Sequence, residues 1–249
     1  MTDYHLLIPA RLGSTRLPHK ALADVSGLPL IVRVWQTAIG ADAKSVTVVT
    51  DHREIQAAIE ALGGHAIMTS PDHVSGTDRL SEAVGLLGLA DDAVVVNLQG
   101  DEPLMPKVCL QQVAQLLATH PHAHMATLYD ELMSEHQWRD PDVVKLVADD
   151  RNQALCFSRS AIPHARQGDW PKAIAKRHVG LYAYRVSALK QWPALPVSEI
   201  EQSESLEQWR ALSAGWTIVC DQALASIPAG VDNADDLARI QQVFNDRID

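Results

Sequence analysis

Short runs of apolar, often β-branched residues alternate with longer amphipathic segments along this chain. Residues 6–9, 45–49 and 93–98 have the length and composition of buried strands, whereas 30–39 and 53–62 have the spacing of helices. Because the connections of a parallel sheet carry helices that cover both faces, this alternation predicts an α/β fold with a mostly parallel sheet. Weaker patterns predict helices at 78–87, 108–117, 204–214 and 233–244 and strands at 66–68, 143–148, 154–158, 178–184 and 217–220.

The length of the chain suits one large α/β domain. It has 249 residues, of which 47% are hydrophobic, and it contains neither an internal repeat nor a stretch with the composition of a linker. We therefore predict a single domain over residues 1–249. The segment from about 125 to 200 is predicted to be strand-rich and irregular. We interpret it as an insertion on the sheet, because it lacks a second set of βα repeats.

Charge and cysteine usage narrow the class of protein. A formal net charge of -10 at pH 7 leaves no basic surplus to neutralise phosphates, so we expect no nucleic-acid partner and no membrane partner. The three cysteines lie far apart, in or beside apolar stretches, which favours buried thiols in a reducing compartment. The sequence has no signal-peptide pattern and no apolar run of membrane-spanning length. We expect a cytoplasmic protein that binds anions through locally placed cations.

A polar loop rich in cations and hydroxyls follows the first predicted strand. It includes Arg11, Gly13, Ser14 and Lys20. In open α/β sheets, ligands bind beyond the carboxyl ends of the strands, so this loop lies where a nucleotide would bind. Its amides and cations suit a triphosphate. A solvated surface loop is the alternative, since the loop lacks the Walker pattern of phosphate-binding loops.

Two carboxylates follow apolar segments that lie far apart in the chain. Asp101 comes soon after the strand predicted at 93–98, and Asp232 follows Gly230 and Val231. Magnesium in phosphate-handling sites is held by one or two carboxylates together with phosphates and water. The two residues could therefore hold Mg²⁺ if the fold brings them together. The alternative for Asp101 is an acidic turn, because glycine and proline both flank it closely.

A second polar loop precedes the helix predicted at 78–87. Its Ser75, Gly76 and Thr77 could present polar groups to the edge of a pyrimidine, and Thr77 or Asp78 could equally be the helix N-cap. The ligand role and the capping role are compatible. His73 has no partner at the spacing of metal ligands, so we predict no metal site in this loop.

Taken in order, these motifs resemble those of the 3-deoxy-manno-octulosonate (Kdo) cytidylyltransferases. The resemblance implies a three-layer, Rossmann-like nucleotidyltransferase fold, CTP and Kdo as substrates, Mg²⁺ as cofactor and a homodimer. It also implies that the insertion at about 125–200 contributes to sugar binding and to the dimer interface. The stretches that carry the resemblance cover nearly the whole chain and read IPARLGSTRLPHKAL, VVTD, SPDHVSGTDRL, VVNLQGDEP, ALCFSRSAIP, RHVGLYAYR, SLEQWRAL and GVDNADDL.

The resemblance also assigns residues to a catalytic centre and to two substrate sites. Lys20, Arg11, Asp101 and Asp232 would be catalytic, with the two aspartates as Mg²⁺ ligands. The residues assigned to CTP are Pro9, Ala10, Arg11, Ser14, Lys20, Thr50, Asp51, Ser75, Gly76, Thr77, Arg79 and Gln99. The residues assigned to the sugar are Gln99, Arg159, His178, Tyr182, Glu207 and Gln208.

The chemistry of an eight-carbon acid sugar agrees with the second assignment. Its carboxylate needs a cation, which Arg159 could supply, and its hydroxyls need mixed donors and acceptors. His178 and Tyr182 alternate with Gly180 along a predicted strand, so the period of two places all three on one face. Without the resemblance, His178 would be interpreted as a core histidine and Glu207 as an exposed helical carboxylate.

The chain departs from the family pattern in three places. His19 stands where the family usually has glycine before the lysine, His164-Ala165-Arg166 replaces an aromatic-Asp-Arg sequence, and Trp209 replaces a leucine. These changes leave the identity of the sugar open between Kdo, 8-amino-Kdo and another ulosonic acid. A non-catalytic nucleotide-binding regulator is the competing class of function.

Local features favour Kdo and favour catalysis. Glu102 fits the Kdo form of the family better than the 8-amino-Kdo form. Thr15 and Arg16 stand where the sialic-acid enzymes usually have a lysine soon after the serine. The chain keeps both aspartates and Lys20, which argues against a silent regulator.

Overall fold

One large β-sheet organises the part of the chain described by this computed structural model, which covers residues 3–13, 17–167 and 170–246. The strands are β1 (Tyr4–Ala10), β2 (Asp24–Val25), β3 (Leu28–Pro29), β4 (Ser45–Thr50), β5 (His65–Met68), β6 (Val94–Asn97), β7 (Met125–Glu131), β8 (Lys145–Ala148), β9 (Ala154–Ser158), β10 (Lys176–Arg185) and β11 (Ile218–Gln222). The helices are α1 (Leu30–Ile39), α2 (Arg53–Glu60), α3 (Gly76–Leu86), α4 (Lys107–Ala118), α5 (Glu135–Arg139), α6 (Val186–Gln191), α7 (Glu199–Glu204), α8 (Gln208–Ser213) and α9 (Ala234–Asn245).

The central strands of the sheet run mostly parallel. Their order is β11-β7-β10-β6-β1-β4-β5, and the hairpin β8–β9 pairs with β10. β1 is parallel to β4 and β6, β4 is parallel to β5, and β7 is parallel to β11. β10 is antiparallel to both of its central neighbours, β6 and β7. The strand-rich segment predicted at about 125–200 thus shares this sheet, because it supplies β7 and β10 as well as the β8–β9 hairpin.

Helices cover both faces of the sheet and form two hydrophobic layers. Successive side chains of a strand point to opposite faces. Leu6 and Ile8 of β1 therefore pack in one layer with α1, α2 and α4, whereas Leu7 packs in the other with α3 and α6. The predicted three-layer α/β fold with a mostly parallel sheet is confirmed. None of the helices in the described ranges is both long enough and apolar enough to cross a membrane.

The prediction of one continuous helix over residues 204–214 is wrong. Ser205 adopts the left-handed backbone conformation, with φ of 52°, and this conformation ends α7 at Glu204. The chain then starts a separate helix at Gln208. The short helices α5 and α6 were not predicted either, because five or six residues are too few to show a helical period.

A buried lysine holds the strand-rich segment together. Lys145 lies in β8 and is fully buried, and its ammonium donates to the backbone carbonyls of Asp140, Val143 and Arg159 at 2.7, 2.5 and 2.6 Å. An ammonium has three donors, so these carbonyls satisfy all of them. Lys145 therefore ties the loop before β8 to the residue that follows β9.

Replacing this lysine should destabilise the fold. Lys145→Met keeps most of the side-chain volume but leaves three buried carbonyls without their donor, and each such group costs about 1–3 kcal/mol. We expect the free energy of unfolding, measured by urea denaturation, to fall by at least about 3 kcal/mol. Lys172→Met, at an exposed position, is the control. Equal effects of the two substitutions would contradict this role for Lys145.

Candidate active site

A pocket of about 310 Å³ opens at the carboxyl ends of β1 and β6. The predicted site residues that line it are Pro9, Ala10, Arg11, Lys20, Ser75, Gly76, Arg79, Gln99, Asp101 and Asp232. Thr50, Asp51 and Thr77 are described residues outside this lining, and Ser14 lies outside the described residues, as do Thr15 and Arg16. The pocket therefore collects most of the residues assigned to CTP, to catalysis and to the metal.

Asp101 and Asp232 meet at the ammonium group of Lys20. Lys20 Nζ lies 2.6 Å from Asp101 Oδ2 and 3.5 Å from Asp232 Oδ1. It also donates to the carbonyl oxygen of Val231 at 2.9 Å. All three side chains retain some solvent exposure, so the contacts lie at the wall of the pocket rather than in the core. The fold therefore brings Asp101 and Asp232 together, which the hypothesis of a two-carboxylate site required.

A close contact between two loops brings the carboxylates together. The Val231 amide donates to the Asp101 carbonyl oxygen at 2.9 Å. A Cβ atom on Gly230 would lie 2.9 Å from that same oxygen, and one on Gly100 would lie 2.7 Å from the carbonyl oxygen of Pro9. Real Cβ atoms do not approach backbone oxygens this closely, so both positions need glycine.

The loop that carries Lys20 turns at His19. His19 has φ of 57°, in the left-handed region that glycine adopts most readily. His19 stands where the Kdo cytidylyltransferases usually have glycine. It nevertheless adopts a backbone conformation that glycine favours. A 3-10 turn, Lys20–Leu22, follows directly and positions the lysine.

The N-terminus of α3 forms the opposite wall of the pocket. Ser75 is the N-cap of this helix, with its hydroxyl accepting from the Asp78 amide at 3.1 Å. The prediction that Thr77 or Asp78 is the cap is therefore wrong: both lie within the first turn, and Ser75 has the extended backbone of an N-cap. Arg79 follows in the same turn and is almost fully buried.

Arg79 is fixed by partners on two neighbouring segments. Its guanidinium donates to Asp51 Oδ2 at 2.7 Å, to Thr69 Oγ1 at 2.6 Å and to the carbonyl oxygen of Ser70 at 3.3 Å. Asp51 thus contacts a residue that lines the pocket. Thr50 is fully buried and accepts from the backbone amide of His52 through its hydroxyl at 3.2 Å.

His178 and Tyr182 lie on the same face of β10, as predicted. Their ring centroids are 5.4 Å apart. The Thr127 hydroxyl lies 3.1 Å from His178 Nε2 and donates to the carbonyl oxygens of Val179 and Leu181. Because that hydroxyl has one proton, it accepts from His178, which assigns the proton of the neutral ring to Nε2. His178 Nδ1 is then an acceptor.

Burial keeps the polar groups of this face uncharged. It lowers the pKa of His178 to about 3, with the nearby charge of Arg177 adding to the effect. It raises the pKa of Tyr182 well above the ordinary value, because desolvation disfavours the phenolate. At neutral pH both side chains are therefore neutral hydrogen-bonding groups.

Glu207 and Gln208 stand at the start of α8 with buried polar atoms. Glu207 Oε1 and Gln208 Nε2 are buried and have no hydrogen-bond partner among the described residues, and the same holds for the Tyr182 hydroxyl. Buried polar atoms of folded proteins are nearly always paired, so unpaired ones at one site indicate groups that a ligand would satisfy.

The Arg159 guanidinium is held by backbone carbonyls. Its Nε donates to the carbonyl oxygen of Glu204 at 2.7 Å, and its NH1 group donates to that of Pro141 at 2.9 Å. The Glu204 carboxylate also accepts from the Arg159 amide at 2.8 Å. The structure thus brings His178, Tyr182 and Glu207 close together. Glu204 of α7 holds Arg159 in place.

Comparison with known proteins decides the family. The profile of the cytidylyltransferase family matches residues 5–218. The chain belongs to this family. A 3-deoxy-manno-octulosonate cytidylyltransferase from Francisella tularensis subsp. novicida is 44% identical over 249 residues, which are 98% of this chain and 100% of the relative. One from Polynucleobacter asymbioticus is 45% identical over 246 residues, 97% of this chain and 96% of the relative.

A solved structure agrees with these sequence relatives. The structure of CMP:2-keto-3-deoxy-manno-octonic acid synthetase complexed with CTP is 39% identical to this cytidylyltransferase. It superposes with a TM-score of 0.91 and covers 99% of this chain and 100% of its own. The predicted family resemblance is confirmed.

A third carboxyl lies behind the aspartate pair of the cytidylyltransferase. Glu102 Oε2 is buried and has no partner among the described residues. Burial raises the pKa of Glu102 to about 8, and the charge of Asp101 adds to the effect. Glu102 is therefore largely protonated at neutral pH.

Three further polar residues of this region were not among the predicted site residues. His73 lines the pocket, and its Nε2 lies 2.5 Å from Glu82 Oε2. Asn97 pairs with Tyr182 across the sheet and has a buried, unpartnered Oδ1 among the described residues, and Tyr184 lies next to Tyr182 with ring centroids 5.9 Å apart. The period of two could have found Tyr184, because it is two residues beyond Tyr182 on the same face.

The neutral state of His178 predicts a pH dependence of stability. The unfolded chain protonates this histidine below about pH 6.5, whereas the folded cytidylyltransferase does so only near pH 3. The free energy of unfolding should therefore decrease as the pH falls through this interval, by up to about 1.4 kcal/mol per pH unit. His178→Gln removes the titrating group, so its unfolding free energy should decrease less steeply.

Urea denaturation at several pH values between about 4.5 and 7.5 measures this difference. His136→Gln, at an exposed position, is the matched control and should keep the slope of the unsubstituted protein. Identical slopes for His178→Gln and the unsubstituted protein would show that the folded state does not keep His178 neutral.

Proposed function

We propose that this cytidylyltransferase transfers CMP from CTP to the anomeric hydroxyl of Kdo, which yields CMP-Kdo and pyrophosphate and activates Kdo for lipopolysaccharide synthesis. The observation that carries the proposal is the meeting of Asp101 and Asp232 at Lys20, in the wall of a pocket that also contains Arg11 and Arg79. The names of the relatives, and the CTP bound in the related solved structure, support both substrates.

The pocket provides what a nucleoside triphosphate needs. Arg11 and Lys20 are cations for the phosphates, and the backbone of Pro9 and Ala10 borders the same space. Ser75 and Gly76, at the N-terminus of α3, offer backbone groups toward the base. We assign CTP to this pocket, with the triphosphate directed to the side of Lys20.

We propose Mg²⁺ as the cofactor, held by Asp101 and Asp232. The donor set fits, because both carboxylates already share one cationic group and magnesium prefers oxygen ligands. Among the described residues no group of three or more His, Cys, Asp or Glu could hold a metal ion, which suits an ion whose remaining ligands are phosphates and water. When bound, Mg²⁺ would lower the pKa of the anomeric hydroxyl and offset charge at the α-phosphate.

The transfer itself needs no covalent intermediate on the enzyme. The anomeric oxygen passes its proton to solvent water and forms a bond to the α-phosphorus, while the bond from that phosphorus to the oxygen of the β-phosphate breaks and its electron pair leaves with pyrophosphate. Arg11 and Lys20 offset the charge that develops on the leaving group. The three donors of the Lys20 ammonium are used by Asp101, Val231 and Asp232. When CTP binds, Lys20 therefore gives up a carboxylate contact to contact a phosphate.

We assign the sugar to the neutral face of β10 and the start of α8. Tyr182 and Gln208 supply donors, and His178 and Glu207 supply acceptors, for the row of hydroxyls. Gln99 lines the nucleotide pocket and stands between the two substrates in this assignment. We assign the sugar carboxylate to Arg159, whose guanidinium keeps donors beyond its two backbone contacts. The assignment gives each predicted sugar residue a chemical role.

We further propose a cytoplasmic homodimer whose interface uses the segment from about 125 to 200. Three large apolar side chains of this segment are strongly exposed: Met133 by 72%, Leu155 by 58% and Ile174 by 61%. Exposed apolar side chains that cluster on one segment mark protein interfaces. The three cysteines are free thiols, as suits a reducing compartment.

Neutralising either aspartate should abolish most of the activity. Asp101→Asn and Asp232→Asn keep the side-chain shape but remove a charge that positions the metal-bound nucleophile. We expect each to lower turnover by at least about 100-fold in a pyrophosphate-release assay with CTP, Kdo and saturating magnesium. Asp235→Asn, at an exposed position of α9, should leave turnover unchanged. Near-normal turnover of Asp101→Asn would refute the proposed site.

The same assay distinguishes the alternative functions. Kdo, 8-amino-Kdo and a sialic acid are offered in turn, each with CTP or another nucleoside triphosphate. We expect the highest kcat/KM with Kdo and CTP. A preference for another acid sugar would correct the substrate and keep the chemistry, whereas no release of pyrophosphate with any pair would favour a nucleotide-binding regulator.

A further inference from the structure

The first turn of α3 borders two sites at once. Ser75 and Gly76 line the nucleotide pocket. Thr77, the next residue, is only 1% exposed and turns its hydroxyl away from that pocket toward α8. The resemblance assigned Thr77 to CTP, but its side-chain contacts lie on the side assigned to the sugar.

Thr77 makes a buried hydrogen bond to Glu207. Its Oγ1 donates to Glu207 Oε2 at 2.8 Å. The hydroxyl of Tyr184 lies 3.5 Å from the same Oγ1. Because the single proton of the threonine hydroxyl goes to the carboxylate, the threonine oxygen is left to accept from Tyr184. The Thr77 hydroxyl is therefore held between a strand residue and the carboxylate.

The hydrogen bond fixes the direction of the Glu207 carboxylate. With Oε2 held by Thr77, the other oxygen, Oε1, is buried and has no partner among the described residues. Burial raises the pKa of Glu207, and the hydrogen bond from Thr77 opposes this shift. A carboxyl group with one oxygen anchored presents the other as a directed hydrogen-bonding partner for a hydroxyl.

A second contact ties the same turn of α3 to the helices of the sugar side. Asp78 Oδ1 lies 3.5 Å from the guanidinium of Arg210 in α8, and Arg210 donates to Glu201 of α7 at 2.6 Å. Asp78 is also bonded to the N-cap residue Ser75, whose hydroxyl donates to Asp78 Oδ2 at 2.8 Å. A displacement of the nucleotide loop would therefore be transmitted to α7 and α8.

We propose that Thr77 is a positioning residue that orients Glu207 toward a hydroxyl of the acid sugar and couples the nucleotide loop to the sugar site. The inference rests on the proposed function, because it takes Glu207 as a contact of the sugar. It differs from the family assignment, since the Thr77 hydroxyl serves the sugar rather than the nucleotide.

The test compares Thr77→Val with Thr77→Ser. Valine keeps the shape and loses the hydroxyl, whereas serine keeps the hydroxyl. For Thr77→Val we expect the KM for Kdo to rise about tenfold, because the hydrogen bond that orients the Glu207 carboxyl group is lost. The Kd for CTP, measured by calorimetric titration, should stay within about twofold. Thr77→Ser should restore the KM, and Thr119→Val, the same change at an exposed helix end, should alter neither constant.

A double-mutant cycle with Glu207→Gln separates positioning from general damage to the structure. If Thr77 acts through Glu207, the two substitutions together should raise the KM for Kdo no more than Glu207→Gln alone, within about twofold. Independent, multiplying effects would overturn the inference. A rise in the Kd for CTP that equals the rise in the KM for Kdo would also overturn it, because Thr77 would then serve the nucleotide.

Two further outcomes keep the inference distinct from the proposed function. If Glu207→Gln leaves the KM for Kdo unchanged, the sugar assignment of Glu207 fails and the inference fails with it. If Glu207→Gln raises that KM and Thr77→Val does not, only the role of Thr77 is wrong. Should Thr77→Val not fold, Thr77→Ala removes the same hydroxyl and should raise the KM for Kdo at an unchanged Kd for CTP, and an unchanged KM would overturn the inference.

Discussion

The close approach of two loops at the carboxyl edge of the sheet is the contact on which the site depends. The Val231 amide reaches the Asp101 carbonyl, and Gly230 leaves the space that this approach requires. This contact between the loops places the carboxylates of Asp232 and Asp101 on the same ammonium group, that of Lys20. A single backbone hydrogen bond thus turns two distant acidic residues into a pair beside one pocket.

The two sides of the site differ in their electrostatics. The side assigned to the nucleotide carries Arg11, Lys20 and Arg79 together with Asp101 and Asp232. The side assigned to the sugar is buried and mostly neutral, because desolvation keeps His178 unprotonated and the Tyr182 hydroxyl protonated. Charges suit a triphosphate and a divalent ion, whereas neutral donors and acceptors suit the hydroxyls of a sugar.

The sequence predicted those features that follow from local periodicity. The apolar strands, α1 and the shared face of His178 and Tyr182 all come from a period of two or of 3.6. The face is shared even though β10 has a register shift between Val179 and Tyr182, because the shift adds a pair of residues and keeps the alternation. The helix break at Ser205 occurs at a residue other than glycine, so the sequence gives no signal for it. The hydrogen bond from Thr77 to Glu207 joins residues far apart in the chain, which local periodicity does not predict.

The most direct test of the central claim is the position of the metal in crystals grown with CTP and Mn²⁺, located by the anomalous scattering of manganese. The account predicts a peak bound by oxygen atoms of both Asp101 and Asp232, at about 2.0–2.3 Å, together with phosphate oxygens. A peak bound by phosphates alone, with both carboxylates still on Lys20, would contradict it.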